Sequence, residues 1–249
     1  MLGLGNNLLK VGLVTPGVVT SNLVLKHNYS AGAVVPVSDG ACSFTGAGTE
    51  DRVSITETAF NVDGAAYTFA FWAKRNVLGV LHTVLGKSDT VDVSMIRFNT
   101  SNEIKMESDA AGDIITITQN VIDTNWHHYA ITITGSGATI VAYQDGALCA
   151  DSGNVGDDNL TIDLIGAQST GGQHNEFDGY ICNIGIWEGV LTQAQVKSIM
   201  WKNYAGLTDS DKDAGTTGSS NLIHWWDLDE GTGTTATDSA GGNTGAFAS

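Results

Sequence analysis

The sequence predicts an all-β protein in which two antiparallel sheets pack face to face, with one short helix near the end. Three observations predict it. Apolar and polar residues alternate with a period of two from about residue 22 onward. Turns rich in Gly, Asn and Asp cut that pattern into eleven to thirteen short strands, as a sandwich requires. Only Thr192–Tyr204 changes period: Val196, Ile199, Met200 and Tyr204 follow at helical spacing, with Lys197 and Lys202 off that face.

The elements follow in order. Residues 1–21 are Gly-rich and apolar without a clean period, and Leu4, Leu8 and Leu9 are its candidate contact residues. Left in water, such a segment invites aggregation, so an arm docked on an interface is expected. Residues 22–207 form the sandwich. Val53/Ile55, Phe69/Phe71/Ala73 and Ile104/Met106 alternate with polar neighbours, and Leu160/Ile162/Leu164 continue the pattern. Asp145-Gly146 supplies the positive φ of a two-residue hairpin turn. In the strand before the helix, Tyr180, Cys182, Ile184 and Ile186 alternate with Ile181, Asn183, Gly185 and Trp187. Thr192 and Gln195 then make a capping box, and Gly206 a C-cap. Residues 208–220 are polar and of low complexity, a linker. Residues 221–249 form a C-terminal arm with an extra strand. Its adjacent Trp225 and Trp226 must pair with something, either this domain's sheet or another subunit's edge, and both are candidate interface residues.

Several segments together resemble a known family. Phe177-Asp-Gly-Tyr-Ile, the strand ending Ile186-Trp187, and Leu191-Thr-Gln-Ala-Gln-Val look like the closing signature of laminin-G-like, concanavalin A-like jelly rolls. Cys42-Ser-Phe-Thr-Gly with Arg52-Val-Ser-Ile, Tyr67-Thr-Phe-Ala-Phe-Trp-Ala-Lys, and Trp126-His-His-Tyr-Ala-Ile-Thr resemble earlier strands of that family, in its order. The resemblance covers roughly residues 22–207 and implies a jelly-roll sandwich. It spans lectins, adhesion modules and virion proteins, so fold does not fix function. Leu222-Ile-His-Trp-Trp-Asp-Leu-Asp-Glu-Gly is similar to the family's first strand and loop, yet too few residues follow for a second sandwich. The opening Met1-Leu-Gly-Leu-Gly-Asn-Asn-Leu-Leu is similar to the starts of bacteriophage virion proteins that carry such jelly rolls.

Composition narrows the classes. With 27 acidic against 11 basic residues the net charge is −16, and no Lys or Arg lies between Met106 and Val196. Such a surface repels nucleic acid and anionic membrane. No run of 18 apolar residues exists for a membrane span, and the Gly-broken start does not read as a signal peptide. Cys42, Cys149 and Cys182 are too few and too scattered for a disulfide scaffold or a zinc site.

Candidate chemistry is sparse. A glucanase of this fold would carry Glu-x-Asp-x-x-Glu on one strand, so that two carboxylates project from one face. Asp227, Asp229 and Glu230 come nearest and miss that spacing, so no catalytic residue is expected. His127 and His128, being neighbours on a strand, face opposite ways and cannot share a metal. Rim calcium is the one cofactor weighed. Oxygen ligands gather at Asp89 and Asp92, at Asp151–Asn159, and at His174–Glu176, and Asp157 and Asp158 are the best candidates. Glycan binding needs an exposed aromatic platform; Trp72, Trp126 and Trp187 are expected in the core, while Trp201 lies off the helix's apolar face. The resulting expectation is a non-enzymatic structural or adhesion protein of a bacteriophage particle, a capsid decoration or tail-associated component assembled in the host cytoplasm. Its partners would be further copies or other virion proteins. The alternative is an extracellular, calcium-dependent glycan-binding module, with a glucanase a distant third.

Overall fold

The computed structural model describes residues 35–38, 40–46, 51–62, 64–89, 94–108, 112–117, 123–135, 139–149, 159–170, 173–215 and 221–248. The chain divides into Met1–Gly32 and Ala33–Ser249, and the described residues all belong to the second unit.

The first strands are β1 (Cys42–Thr45), β2 (Val53–Phe60), β3 (Tyr67–Arg75), β4 (His82–Gly86), β5 (Met95–Phe98), β6 (Ile104–Ser108) and β7 (Gly112–Ile117). Next come β8 (His127–Ile133), β9 (Ile140–Gln144), β10 (Ala147–Leu148), β11 (Leu160–Ile165), β12 (Ser169–Thr170), β13 (Gln173–His174) and β14 (Asp178–Trp187). The chain ends with helices α1 (Gln193–Ile199) and α2 (Asp209–Lys212), then β15 (Leu222–Trp226), β16 (Thr235–Ala236) and β17 (Gly245–Phe247). They form a seven-stranded sheet in the order β1-β14-β3-β8-β9-β10, with β15 also on β14. An eight-stranded sheet runs β16-β17-β2-β11-β4-β5-β6-β7, and β12-β13 make a small hairpin. The architecture is the antiparallel two-sheet sandwich expected of a concanavalin A-like jelly roll.

Between the sheets lies one core, in which Phe69, Phe71, Tyr129 and Ile131 face Phe60, Ile96, Phe98 and Ile162. β3 is buried on both faces because a third layer, α1 and the chain after it, covers the outer side of its sheet. Under that layer Ala70, Ala130, Val196, Ile199, Trp187 and Trp225 pack together. The two indoles meet edge to face at 6.0 Å. Gly185 makes room for them: a Cβ there would stand 2.5 Å from Trp187 and 2.8 Å from Trp225.

β14 departs from strict alternation. Asn183 has φ +50, and Cys182 and Gly185 register against Trp72 and Ala70, so that Asn183 and Ile184 on one strand oppose Phe71 alone on the other. This β-bulge reverses the faces beyond it. Ile181, Ile184 and Ile186 therefore point inward, while Cys182 and Trp187 point out under the helix layer. The simple alternation expected from the sequence holds only up to Cys182. Asn183 donates its backbone N–H to Asp227 O (3.1 Å) and its side-chain amide to Val37 O (3.1 Å). There the edge of β14 passes from one partner to another, β1 along Asp178–Ile181 and β15 along Ile184–Trp187.

The helical stretch is shorter than its periodicity suggests. Thr192 caps α1 in a capping box with Gln195, but after Ile199 the bonds tighten to i−3 and a 3₁₀ turn follows at Tyr204–Gly206. The start of the expected linker is packed rather than free: Asp211 of α2 is buried, accepts Trp187 Nε1 on its carbonyl (2.9 Å) and pairs with Lys202 (2.5 Å).

The largest correction concerns the C-terminal arm. β15 pairs with β14 in the chain's own sheet, and β16–β17 extend the opposite sheet through Ala246↔Ser54 and Phe247↔Val53. Trp226 lies in the main core and Trp225 under the helix layer, with 0% and 2% exposure. Neither can serve as the intersubunit contact proposed for it, because the chain itself covers both faces of β15. Leu4, Leu8 and Leu9 lie outside the described residues.

Candidate functional site

A cleft of about 480 Å³ opens at one end of the sandwich, where β3, β4, β5, β6 and β14 all turn. One wall is the β3–β4 loop with Val77, Val80 and Leu81; the other is Asn175–Asp178 entering β14, with Thr100 and Gly46 at the sides. Val77 and Val80 are 45% and 43% exposed, so the lip is apolar and wet. Among the described residues no Lys or Arg lines the cleft, whereas Glu176, Asp178 and Asn175 do.

Buried polar pins hold the walls. His82 is fully buried; its Nε2 bonds Val77 O (2.9 Å), and its Nδ1 accepts the Asp178 backbone N–H (3.0 Å). Accepting at Nδ1 requires the neutral tautomer with its proton on Nε2. Burial lowers the pKa of this imidazole and so keeps it neutral. Asn102, at φ +64, accepts from both Gly79 N (2.8 Å) and Arg75 Nη1 (3.1 Å), joining the β5–β6 turn to the β3–β4 loop. The Arg75 guanidinium lies over Phe98 at 4.4 Å, which lets a buried cation close the end of the core. Asn175 is fixed through Gln168, by its N–H to Gln168 O (3.1 Å) and its amide to Gln168 Oε1 (3.1 Å).

An apolar lip facing hydrogen-bond acceptors suits a ligand with C–H faces and hydroxyl donors. It does not suit hydrolysis by His82, since both ring nitrogens are spent on backbone groups.

The other sequence candidates distribute as follows. Asp157 and Asp158, with Asp92, Asp151 and Asn154, lie outside the described residues. Asp89 stands 3.9 Å from Lys87, and Asn159 is exposed elsewhere. Of the calcium candidates whose side chains are described, Asn175 and Glu176 reach the cleft. Among the described residues no three His, Cys, Asp or Glu side chains are placed to hold a metal ion. Asp227, Asp229 and Glu230 serve the fold: Asp227 Oδ1 accepts Trp225 Nε1 (2.7 Å) and Tyr204 N (3.2 Å), Asp229 accepts Ser38 Oγ (3.3 Å), and Glu230 accepts Thr237 N (2.7 Å). His127 and His128 do face opposite ways, but neither is open. His127 is held between Asp145 (2.7 Å) and Asp123 (2.9 Å), and His128 is buried against Trp72, its pKa lowered to about 3 by desolvation. Trp72 and Trp187 are buried, Trp126 is half-buried, and Trp201 is 50% exposed. Sequence reasoning missed Val77, Val80 and Asp178. The apolar run Val77-Leu-Gly-Val-Leu between two strands was the available signal, since a loop that rich in aliphatics has a surface to serve.

The family model for the concanavalin A-like lectin/glucanases superfamily, of the laminin-G type, matches residues 47–197, more than half of the chain. The chain belongs to this superfamily. Strands β15–β17 lie beyond the matched region and still complete both sheets of the superfamily's sandwich. Among solved structures, a candidate carbohydrate-binding protein from Bacteroides ovatus is similar over 83% of this chain, at 17% identity and a TM-score of 0.61. This chain spans 57% of that protein's length. A heptameric SAP-like pentraxin from Limulus polyphemus is similar over 84% of this chain and 94% of its own, at 13% identity and a TM-score of 0.50. At these identities the likeness is one of fold. No curated protein sequence matches this chain significantly.

Proposed function

We propose that this superfamily member is a non-enzymatic carbohydrate-binding adhesion protein whose sugar site is the rim cleft. The observation that carries the reading is the pairing of exposed Val77 and Val80 with Asn175 and Asp178 across one opening. A pyranose offers an apolar C–H face to the first pair and hydroxyls to the second. Membership in a superfamily of lectins and glucanases agrees with a sugar ligand, and the missing Glu-x-Asp-x-x-Glu strand favours binding over cleavage.

A second reading concerns the setting, a bacteriophage particle in which the protein acts as capsid decoration or tail-associated component. The resemblance of Met1–Leu9 to virion-protein openings and the apolar residues 1–21 support it. Mass spectrometry of purified particles tests that setting, and absence of the chain from them overturns it.

A glycan array tests the binding. Wild-type protein binds at least one glycan class, Val77→Asp and Asn175→Ala each weaken that binding about tenfold, and no reducing ends are released. EDTA leaves the binding unchanged. A hit abolished by EDTA promotes the calcium-dependent alternative, and binding that survives both substitutions removes the cleft from the account.

A further inference from the structure

The outer face of the seven-stranded sheet is only partly covered by the helix layer. Direct cross-strand pairs share a face, so register orders it into rows. One row holds Ala41, Cys182, Trp72 and His128, and Met200 roofs it. The next row out, past the end of α1, holds Ser43, Tyr180 and Lys74, with Trp126, just before β8, against Tyr180. No helix roofs this second row. Ser43 is exposed, and Tyr180, Lys74 and Trp126 are half-buried. Trp126 and Tyr180 stand 6.2 Å apart with their planes at 47°, and Lys74 Nζ lies 5.7 Å from the Tyr180 ring. Trp201, 50% exposed, follows the end of the helix and stands edge-on to Trp72 of the neighbouring row at 6.4 Å.

The hydrogen-bonding groups of this shelf are unlike the rest of the molecule. Trp72, Trp187, Trp225 and Trp226 each donate the indole N–H to a described oxygen, at 3.1, 2.9, 2.7 and 3.0 Å. Trp126 and Trp201 have no acceptor among the described residues. Lys74 makes no ion pair among them either, although the chain carries 27 acidic side chains. The shelf therefore offers flat apolar rings, with two indole N–H donors and one ammonium that no described residue engages by hydrogen bond or ion pair. Its complement is a ring with a C–H face, many acceptors and one negative charge.

We propose that this shelf is a second binding site, separate from the rim cleft, for a carboxylated sugar residue of a glycan. The ring lies across Trp126, Tyr180 and Trp201, and the carboxylate meets Lys74. The inference rests on the carbohydrate-binding reading only in taking a sugar as its ligand. A single lysine in a chain of net charge −16 gives a short-range attraction, which salt weakens.

The test is an array on which uronic and nonulosonic acid glycans sit beside their carboxyl-reduced counterparts, probed with full-length protein. Wild type prefers acidic members about tenfold over the reduced ones at low salt, and 300 mM NaCl narrows the preference. Lys74→Met keeps the aliphatic stem over Tyr180, so the fold stands while the preference disappears. Trp201→Ala, at an exposed ring, lowers affinity for acidic members about tenfold with an unchanged melting curve. The proposal is overturned if no acidic glycan is preferred, or if the preference survives Lys74→Met. Asn175→Ala separates the two sites. Neutral-glycan binding lost in that variant, with no acidic preference in wild type, sinks the shelf alone. Acidic preference lost in Lys74→Met, with neutral-glycan binding indifferent to Asn175→Ala, sinks the cleft alone.

Discussion

Asp238 is the residue that holds the C-terminal segment. Its side chain is fully buried and accepts from Trp225 N (2.9 Å), Ala240 N (3.0 Å), Gly241 N (3.0 Å), Asn243 N (2.8 Å) and His224 Nδ1 (2.7 Å). Burial alone would raise this carboxyl, but the His224 contact and the backbone N–H groups outweigh it and hold its pKa far below the ordinary range. His127 is shifted the other way. Burial lowers it, yet the bonds to Asp145 and Asp123 prevail and its pKa rises. The depressed carboxyl stabilises the fold above the unfolded Asp value of about 3.9, and that contribution is lost as pH falls toward the folded value. The raised imidazole stabilises fully below about 6.5, and that contribution is lost as pH climbs through its folded value. The buried imidazoles of His82 and His128, whose pKa values burial lowers, act the other way. Below about 6.5 the unfolded rings take up protons that the folded ones refuse, so melting temperature should peak at about pH 6.5 and fall on both sides. His127→Gln should flatten the decline on the alkaline side. Asp238→Asn should cost about 2–4 kcal/mol at pH 6 in urea titration. A loss below about 1 kcal/mol would show that the Asp238 network is replaceable.

At the scale of elements, β14 organises the protein, and Asn183 decides how. One positive-φ residue reverses the faces of the strand, so three isoleucines enter the core while Trp187 enters the helix layer. The same residue divides the outer edge of β14 between β1 and β15. β15 is consequently a sheet strand with both faces buried, and β16–β17 close the edge of β2. Ending the chain at residue 220 would strip both sheets of strands and bare the pocket of Trp226. Burying that ring contributes roughly 4–6 kcal/mol at ~25 cal/mol per Å², an upper bound comparable with a domain's whole stability. The truncated protein should be insoluble or lack a cooperative melt by circular dichroism. A truncation that melts cooperatively near the wild-type temperature would make the segment dispensable.

For the whole molecule the governing quantity is charge. A net −16 on a sandwich of this size repels itself, and few described cations offset it: Arg97 pairs with Glu107 (2.5 Å), Lys202 with Asp211 (2.5 Å) and Lys87 with Asp89 (3.9 Å). Screening relaxes that repulsion more than it weakens these few pairs. Melting temperature should rise by a few degrees between about 10 and 300 mM NaCl. A fall instead would mean that the ion pairs outweigh the net charge. The same excess of acid agrees with a rim cleft lined by Glu176 and Asp178 and, among the described residues, by no cation; Lys74, with no ion pair among those residues, is a local exception on the outer sheet face.

Periodicity, turn chemistry and the capping box sufficed to determine two antiparallel sheets, one helix at Thr192 and the absence of a glucanase strand, because each is written in neighbouring residues. The partner of Trp225 and Trp226 was not so written. Alternation shows that a strand has two apolar faces but not which sheet and layer will cover them, and the cover is drawn from segments as far apart in sequence as Phe44, Ala70, Ala130 and Trp187. The bulge at Asn183 was equally silent, since a positive φ in Asn is a choice imposed by two strands competing for one edge. Likewise the cleft gathers Gly46, Val77, Thr100 and Asn175–Asp178 from four segments that share no local pattern, so only tertiary structure could assemble it.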